Sequence, residues 1–166
     1  MLQRVGQMLY LMAPAYLANM TPPFTRFWRG WNRPISERRL GSHKTVVGAV
    51  AGVVIAELTA LLQSRLGWDA GIVDYRQWPL IGLLLGVGAM GGDMTKSYFK
   101  RRLRIAPGAR WIPADQLDFV VGALVLIAPL ARITWLDVVL TLAITFVADL
   151  AVNQIAFRIG VRDTPW

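Results

Sequence analysis

The sequence predicts an all-α, polytopic membrane protein in which five transmembrane helices cross the bilayer and two basic loops face the cytoplasm. Three observations predict it: 55% apolar residues against 17% charged ones, five long apolar runs, and a net charge of +8 whose cations gather in alternate loops. Soluble domains carry roughly 45–50% apolar and about 25% charged residues, so the chain departs from them on both counts. A protein this greasy and this basic must keep its apolar runs and its cations apart, as membrane proteins with basic cytoplasmic loops do. Residues 1–166 read as one domain, with no internal repeat, low-complexity tract or linker.

A spanning helix needs about 20 mostly apolar residues. The first run, 5–20, is short and interrupted by Pro14. It follows a basic residue as a signal peptide would. However, Asn19-Met20-Thr21-Pro22-Pro23 is no small-x-small cleavage site, so a retained helix is expected. The second, 45–66, carries Glu57 at its middle. The third and fourth, 78–92 and 119–133, are short for full spans and call for tilt or extension. The fifth, 136–159, carries Asp149 and Asn153 four residues apart, on one helix face. Charges inside spans are costly and usually functional. Glu57, Asp149 and Asn153 either hydrogen-bond between helices or line a cavity, with Asn19 as a possible partner.

Loop charges set the orientation. Arg26, Arg29, Arg33, Arg38, Arg39 and Lys44 fill the first loop against Glu37 alone; Lys96, Lys100, Arg101, Arg102, Arg104 and Arg110 fill the third. The second balances Arg65 and Arg76 with Asp69 and Asp74, the fourth holds only Arg132 and Asp137, and Arg158 and Arg162 lie near the C-terminus. This alternation puts the N-terminus outside, and both basic loops and the C-terminus in the cytoplasm of a cell-membrane protein. Trp28, Trp31, Trp68, Trp78, Trp111 and Trp135 stand near run ends, as interfacial aromatic belts do. Gly82, Gly86 and Gly88 suit close helix packing.

Absent residues exclude chemistry. With no cysteine, disulfides, thiolate catalysis and Cys-ligated metals fall away, and His43 alone cannot make a two-histidine site. Two loops carry more than generic charge. Gly41-Ser42-His43-Lys44-Thr45 is similar to the tail of a phosphate-binding loop without its glycine-rich front. Lys44 and Thr45 stand where a helix N-terminus would favour an anion; equally, Lys44 marks a membrane boundary and Thr45 caps the helix. In the third loop, Asp93, Lys96 and Lys100 fall on one helical face, and Asp115 and Asp118 share another. Taken singly, these are caps, dipole partners and positive-inside cations. Taken together, carboxylates for Mg²⁺ beside cations for phosphates are what a nucleotide phosphate site requires.

Ser97-Tyr98-Phe99-Lys100-Arg101 followed by Asp115-Gln116-Leu117-Asp118 resembles the signature of the CDP-diglyceride synthases (phosphatidate cytidylyltransferases). Gln116 stands where the bacterial and eukaryotic enzymes have Arg, and the Lys-Asp and His-Gly-Gly elements of the signature's middle are missing. These departures, the short chain, Asn19-x-x-Pro22 and Lys44-Thr45-x-x-Gly48 are similar to the archaeal branch, the CDP-archaeol synthases. The resemblance covers essentially the whole chain. It implies five spans, Mg²⁺ dependence, and transfer of CMP from CTP to the lipid phosphate 2,3-bis-O-geranylgeranyl-sn-glycerol 1-phosphate with release of pyrophosphate. Partners would be CTP, that lipid and the membrane, with no nucleic acid; oligomeric state stays open. Asp93, Asp115 and Asp118 are the expected metal ligands and, with Lys96 and Lys100, the catalytic set. Asn19, Lys44, Thr45, Ser97 and Arg101 are the expected substrate contacts. A CDP-alcohol phosphotransferase would need an Asp-x-x-Asp-Gly motif, but Phe119 follows Asp118. A small transporter or ion-relay subunit using Glu57 and Asp149 would show inverted symmetry, and none is visible.

Overall fold

The computed structural model describes residues 2–25, 32–68, 72–106 and 109–158, with the side chain of residue 156 excepted. Arg26, Trp28, Arg29, Trp31, Asp69 and Arg162 lie outside the described residues, as does the last position of the fifth run. Among the described residues the chain is helical, apart from one isolated antiparallel bridge between Pro34 and Thr45. Helix α1 spans Leu2–Met20, α2 Pro22–Thr25, α3 Glu37–Leu40, α4 Val46–Leu66, α5 Trp78–Arg102, α6 Ala114–Ile127 and α7 Trp135–Arg158. Two of them, α4 over Val46–Leu66 and α7 over Trp135–Ile155, are long and apolar enough to cross a membrane.

Each long helix overlaps one expected run, with shifted bounds. Helix α1 runs unbroken through Pro14, which is buried inside it, so the expected interruption is absent. Helix α4 starts one residue late because Thr45 is its N-cap, its hydroxyl accepting from Gly48 N at 3.1 Å. Such a cap stabilises a helix by about 1 kcal/mol. Helix α5 continues ten residues past the apolar run, because Lys, Arg and Met propagate a helix well. It ends at Leu103 and Arg104, the latter in the left-handed region at φ 56°. Helix α6 begins five residues early, putting Asp115 and Asp118 in its first two turns, and it ends at Ile127. Residues 128–133 make a turn whose Arg132 N donates to Ile72 O at 2.8 Å.

Small residues govern how closely the helices approach. A side chain at Gly88 would meet Gly122 O at 2.6 Å and Ala123 Cα at 2.7 Å, and one at Gly92 would collide with the Asp118 carbonyl. Helices α5 and α6 therefore touch backbone to backbone, the packing that small residues permit where no hydrophobic drive separates lipid from protein. Gly86 plays the same part against Ala56 and Val53 of α4. The core around these seams holds Leu11, Met12, Leu85, Val120 and Ile127.

The helices alternate in direction. At one end the starts of α1 and α7 meet, with Arg4 Nη2 2.8 Å from Asp137 Oδ2 and 2.7 Å from Arg132 O. At the other, Lys44 ahead of α4 reaches Asp93 in the latter half of α5. The two cation-rich loops thus share one end of the bundle.

Candidate active site

The touching backbones of α5 and α6 put carboxylates from both helices within reach of one ammonium group. Lys96 Nζ lies 2.7 Å from Asp118 Oδ2, 3.3 Å from Asp93 Oδ1 and 3.4 Å from Asp115 Oδ1. Lys44 binds Asp93 from the α4 side. Lys100 Nζ donates to both Asp115 oxygens, at 2.9 and 3.0 Å, and to Ala109 O at 2.6 Å. Asp115 also accepts from Trp111 N at 2.7 Å, so one carboxylate holds both Lys100 and the segment leading into α6.

A cavity of about 610 Å³ opens onto this cluster. Asn19 at the end of α1, Lys44 and Thr45 line it with Asp93, Lys96, Lys100, Asp115 and Asp118. Eight of the expected site residues thus meet in one cavity, and two do not. Ser97 is buried against its own helix, its hydroxyl donating to Asp93 O at 2.8 Å. Arg101, a further turn-fraction on from Lys100, belongs to a separate surface cavity with Arg38, Arg39, Tyr98 and Arg102.

Among the lining residues that sequence reasoning passed over are Asn32 and Gln116. Asn32 Nδ2 donates to Thr25 O at 3.1 Å. Its Oδ1 and Gln116 Oε1 are buried without a hydrogen-bond donor. Asp118 Oδ2 has no further partner beyond Lys96 Nζ, 2.7 Å away. Unpaired buried oxygens are costly; two on one cavity mark a place for donors the protein does not itself supply. Gln116 was visible only as the departure from the family's Arg, and Asn32 had no motif to reveal it. Asp149 and Asn153 also line the cavity, hydrogen-bonded to each other at 2.9 Å. Glu57 stands apart, packed against Gly82 at the α4–α5 contact.

The carboxylates stand just beyond the apolar stretches of α5 and α6, and their charges are interdependent. Burial pushes Asp118 up to about 6, against the pull of Lys96. Burial pushes Asp93 the same way, but Lys44 and Lys96 outweigh it and hold Asp93 below the usual carboxylate range. Burial would lower Lys96, yet Asp118, Asp93 and Asp115 raise it, so it stays charged.

No three carboxylate or imidazole groups among the described residues converge as a ready-made cation cage. The donor set nonetheless suits Mg²⁺, which takes hard oxygens and is bound by one or two carboxylates together with substrate phosphates. Asp118, buried and sharing Lys96 with Asp93, is a carboxylate such an ion would hold once that lysine turns to a phosphate.

A family model described as CDP-archaeol synthase, CarS-like, matches residues 1–166. A CDP-archaeol synthase of Methanosphaerula palustris is 37% identical over 93% of this chain and 100% of its own length. That of Thermofilum pendens is 33% identical over 98% of this chain and 81% of its own. A solved structure described as an intramembrane enzyme for archaeal membrane lipid biosynthesis superposes with a TM-score of 0.75 at 30% identity, covering 87% of this chain and 91% of that one. None of these relatives is a transporter or ion-relay subunit, and the chain belongs to the CDP-archaeol synthase family.

Proposed function

We propose that this chain transfers CMP from CTP to 2,3-bis-O-geranylgeranyl-sn-glycerol 1-phosphate, giving CDP-archaeol and pyrophosphate. The observation that carries the mechanism is the interlocked set of three lysines and three aspartates on one 610 Å³ cavity. A lipid phosphate oxygen bonds to the α-phosphorus of CTP, and the bond from that phosphorus to the oxygen bridging to the β-phosphate breaks. A phosphomonoester is largely ionised at neutral pH, its second pKa being near 6, so no general base is required. The site must instead overcome repulsion between two anions, align them, and stabilise charge on the departing pyrophosphate.

Lys44, Lys96 and Lys100 meet that demand by exchanging carboxylate partners for phosphate oxygens. They approach from two sides, Lys44 ahead of α4 and the others along α5. The carboxylates so released, Asp93 and Asp118 with Asp115 as a third donor, would hold Mg²⁺. Mg²⁺ would supply charge neutralisation across adjacent phosphate oxygens. Asn19, Asn32 and Gln116 line the same cavity and offer amide groups for the nucleotide's polar edges. Thr45 acts through its cap, holding the start of α4 where Lys44 projects.

The bundle is placed with five spans, its N-terminus outside and the cavity end in the cytoplasm. The two helices that are apolar enough alone, the alternation of direction and the loop charges support this reading. The lipid then enters sideways, its phosphate at the interface and its chains among the helices.

The test is CMP transfer in detergent or proteoliposomes with Mg²⁺, CTP and the lipid phosphate, following pyrophosphate release. Asp118→Asn, with an unchanged thermal midpoint, is expected to lose at least about a hundredfold in turnover, the scale at which one removed transition-state contact acts. Near-wild-type turnover would remove Asp118 from the mechanism. Pyrophosphate release independent of added lipid phosphate would remove the acceptor.

A further inference from the structure

A second cavity, of about 640 Å³, lies on the same end of the bundle and is lined by Arg38, Arg39, Tyr98, Arg101 and Arg102. Helix α3 supplies the first two, and the last turns of α5 supply the rest. Among the described residues no carboxylate lines it, and none of its four guanidinium groups lies within 4.0 Å of one. This sets it apart from the catalytic cavity, whose lysines are all carboxylate-bound. Glu37 shares α3 but is not part of the lining. Elsewhere the chain pairs its arginines when an acid is at hand, as Arg4 with Asp137 and Arg76 with Asp74.

Two features say what these four charges face. Guanidinium groups present planar forks that match phosphate oxygens, which makes clustered arginines a phosphate-recognition device. Beside the cavity, Phe99 of α5 is exposed at 47% and Leu103, just past the helix end, at 58%, apolar groups that water would not favour on a cytoplasmic surface. Tyr98, exposed at 40%, stacks edge-on with Phe99 and carries the hydroxyl-tipped ring typical of an interface. Apolar side chains next to unpaired arginines fit a surface where acyl chains and phosphate groups lie side by side.

The geometry points to a headgroup site for anionic phospholipid of the cytoplasmic leaflet, built from Arg38, Arg39, Arg101 and Arg102 and separate from the reacting centre. Its ligand class is a lipid phosphodiester. A bound headgroup would tie α3 to the end of α5 and so brace the loop that carries Lys44. The attraction is electrostatic and near the surface, where each basic residue counts for about a fivefold change in affinity, so it weakens with salt.

The experiment reconstitutes the intact chain in phosphatidylcholine vesicles containing one quarter phosphatidylglycerol, a phosphodiester that cannot serve as the acceptor. The protein is re-extracted in a neutral detergent, and co-purifying lipid is measured by mass spectrometry. Wild-type protein is expected to retain phosphatidylglycerol well above its share of the vesicle. Arg38→Gln/Arg39→Gln/Arg102→Gln is expected to lower that enrichment about tenfold or more at an unchanged thermal midpoint, and the matching Lys substitutions to restore part of it, because they keep the charge and lose the fork. Equal retention by the Gln variant would overturn the site. So would retention that the Gln substitutions abolish and the Lys substitutions fail to restore. A parallel arm measures inorganic pyrophosphate binding in neutral micelles. If the Gln variant loses pyrophosphate binding while keeping its lipid, the cavity recognises free polyphosphate and the lipid assignment is wrong.

Discussion

At the scale of single residues, the active cluster depends on how burial and neighbouring charge divide one carboxylate from another. Asp118 and Asp93 share Lys96, yet burial prevails at Asp118 and the flanking lysines prevail at Asp93. The ligand-free protein should therefore take up a proton at Asp118 as the pH falls through about 6, while Asp93 stays ionised. The sign follows from the raised value: above that pH the carboxylate is charged and competent to bind a cation, and below it the neutral form dominates. Infrared titration should show a protonated carboxyl band appearing over this range, absent in Asp118→Asn. Lys96→Met, which removes the opposing cation, should move the band's midpoint to higher pH. A midpoint at the usual carboxylate range in both proteins would contradict this account of the site. Most of the cluster was legible in the sequence, because Asp93, Lys96 and Lys100 repeat at helical spacing and Asp115 and Asp118 do likewise. Ser97 and Arg101 came from the resemblance rather than from spacing, and each follows a cavity residue by one position, which turns it about 100° around the helix and out of the cavity lining. Asn32 and Gln116 escaped because a lone amide has no pattern, and its worth appears only when its oxygen is found buried without a donor.

At the scale of elements, the close contact between α5 and α6 makes the site. Apolar runs foretold the helices but not their ends. Run length reports bilayer thickness, whereas helix ends follow propensity and caps, so α5 continues ten residues past the apolar stretch and carries Lys96 and Lys100 with it. Adjacent glycines then test the contact. A Cβ at Gly91 would meet nothing within 4 Å, while one at Gly92 would run into the Asp118 carbonyl. Gly91→Ala should thus keep CMP transfer and leave the thermal midpoint equal or higher, since alanine stabilises a helix interior by up to about 1 kcal/mol. Gly92→Ala should force α5 from α6, cost about 1–3 kcal/mol as overpacking does, and reduce turnover at least tenfold by parting Asp93 from Asp118. Thermal melts and pyrophosphate release on the two variants decide it; matching behaviour would mean that this contact does not position the carboxylates. The sequence marked Gly82, Gly86 and Gly88 as packing residues, but nothing in it distinguished Gly92 from Gly91, because the difference lies in which face α6 covers.

At the scale of the whole molecule, charge and topology must agree if a soluble nucleotide is to meet a lipid phosphate. The helices alternate so that Arg4, Asp137 and Arg132 gather at one end, while the catalytic cavity and the arginine cavity gather at the other. That second end holds both basic loops, which the positive-inside rule assigns to the cytoplasm, where CTP is made. The absence of native cysteine makes the orientation directly testable. Ser42→Cys places a thiol in the exposed loop ahead of α4, beside the catalytic cavity, and Arg76→Cys places one in the opposite turn, where the native side chain is 91% exposed. In intact cells a membrane-impermeant maleimide should label the thiol at 76 and spare the one at 42, and permeabilisation should make the second reactive. Labelling of the thiol at 42 in sealed cells would turn the bundle over. The lysine–aspartate cavity would then face away from its nucleotide, and the positive-inside reading of the loops would fail along with the proposed route of CTP to the site.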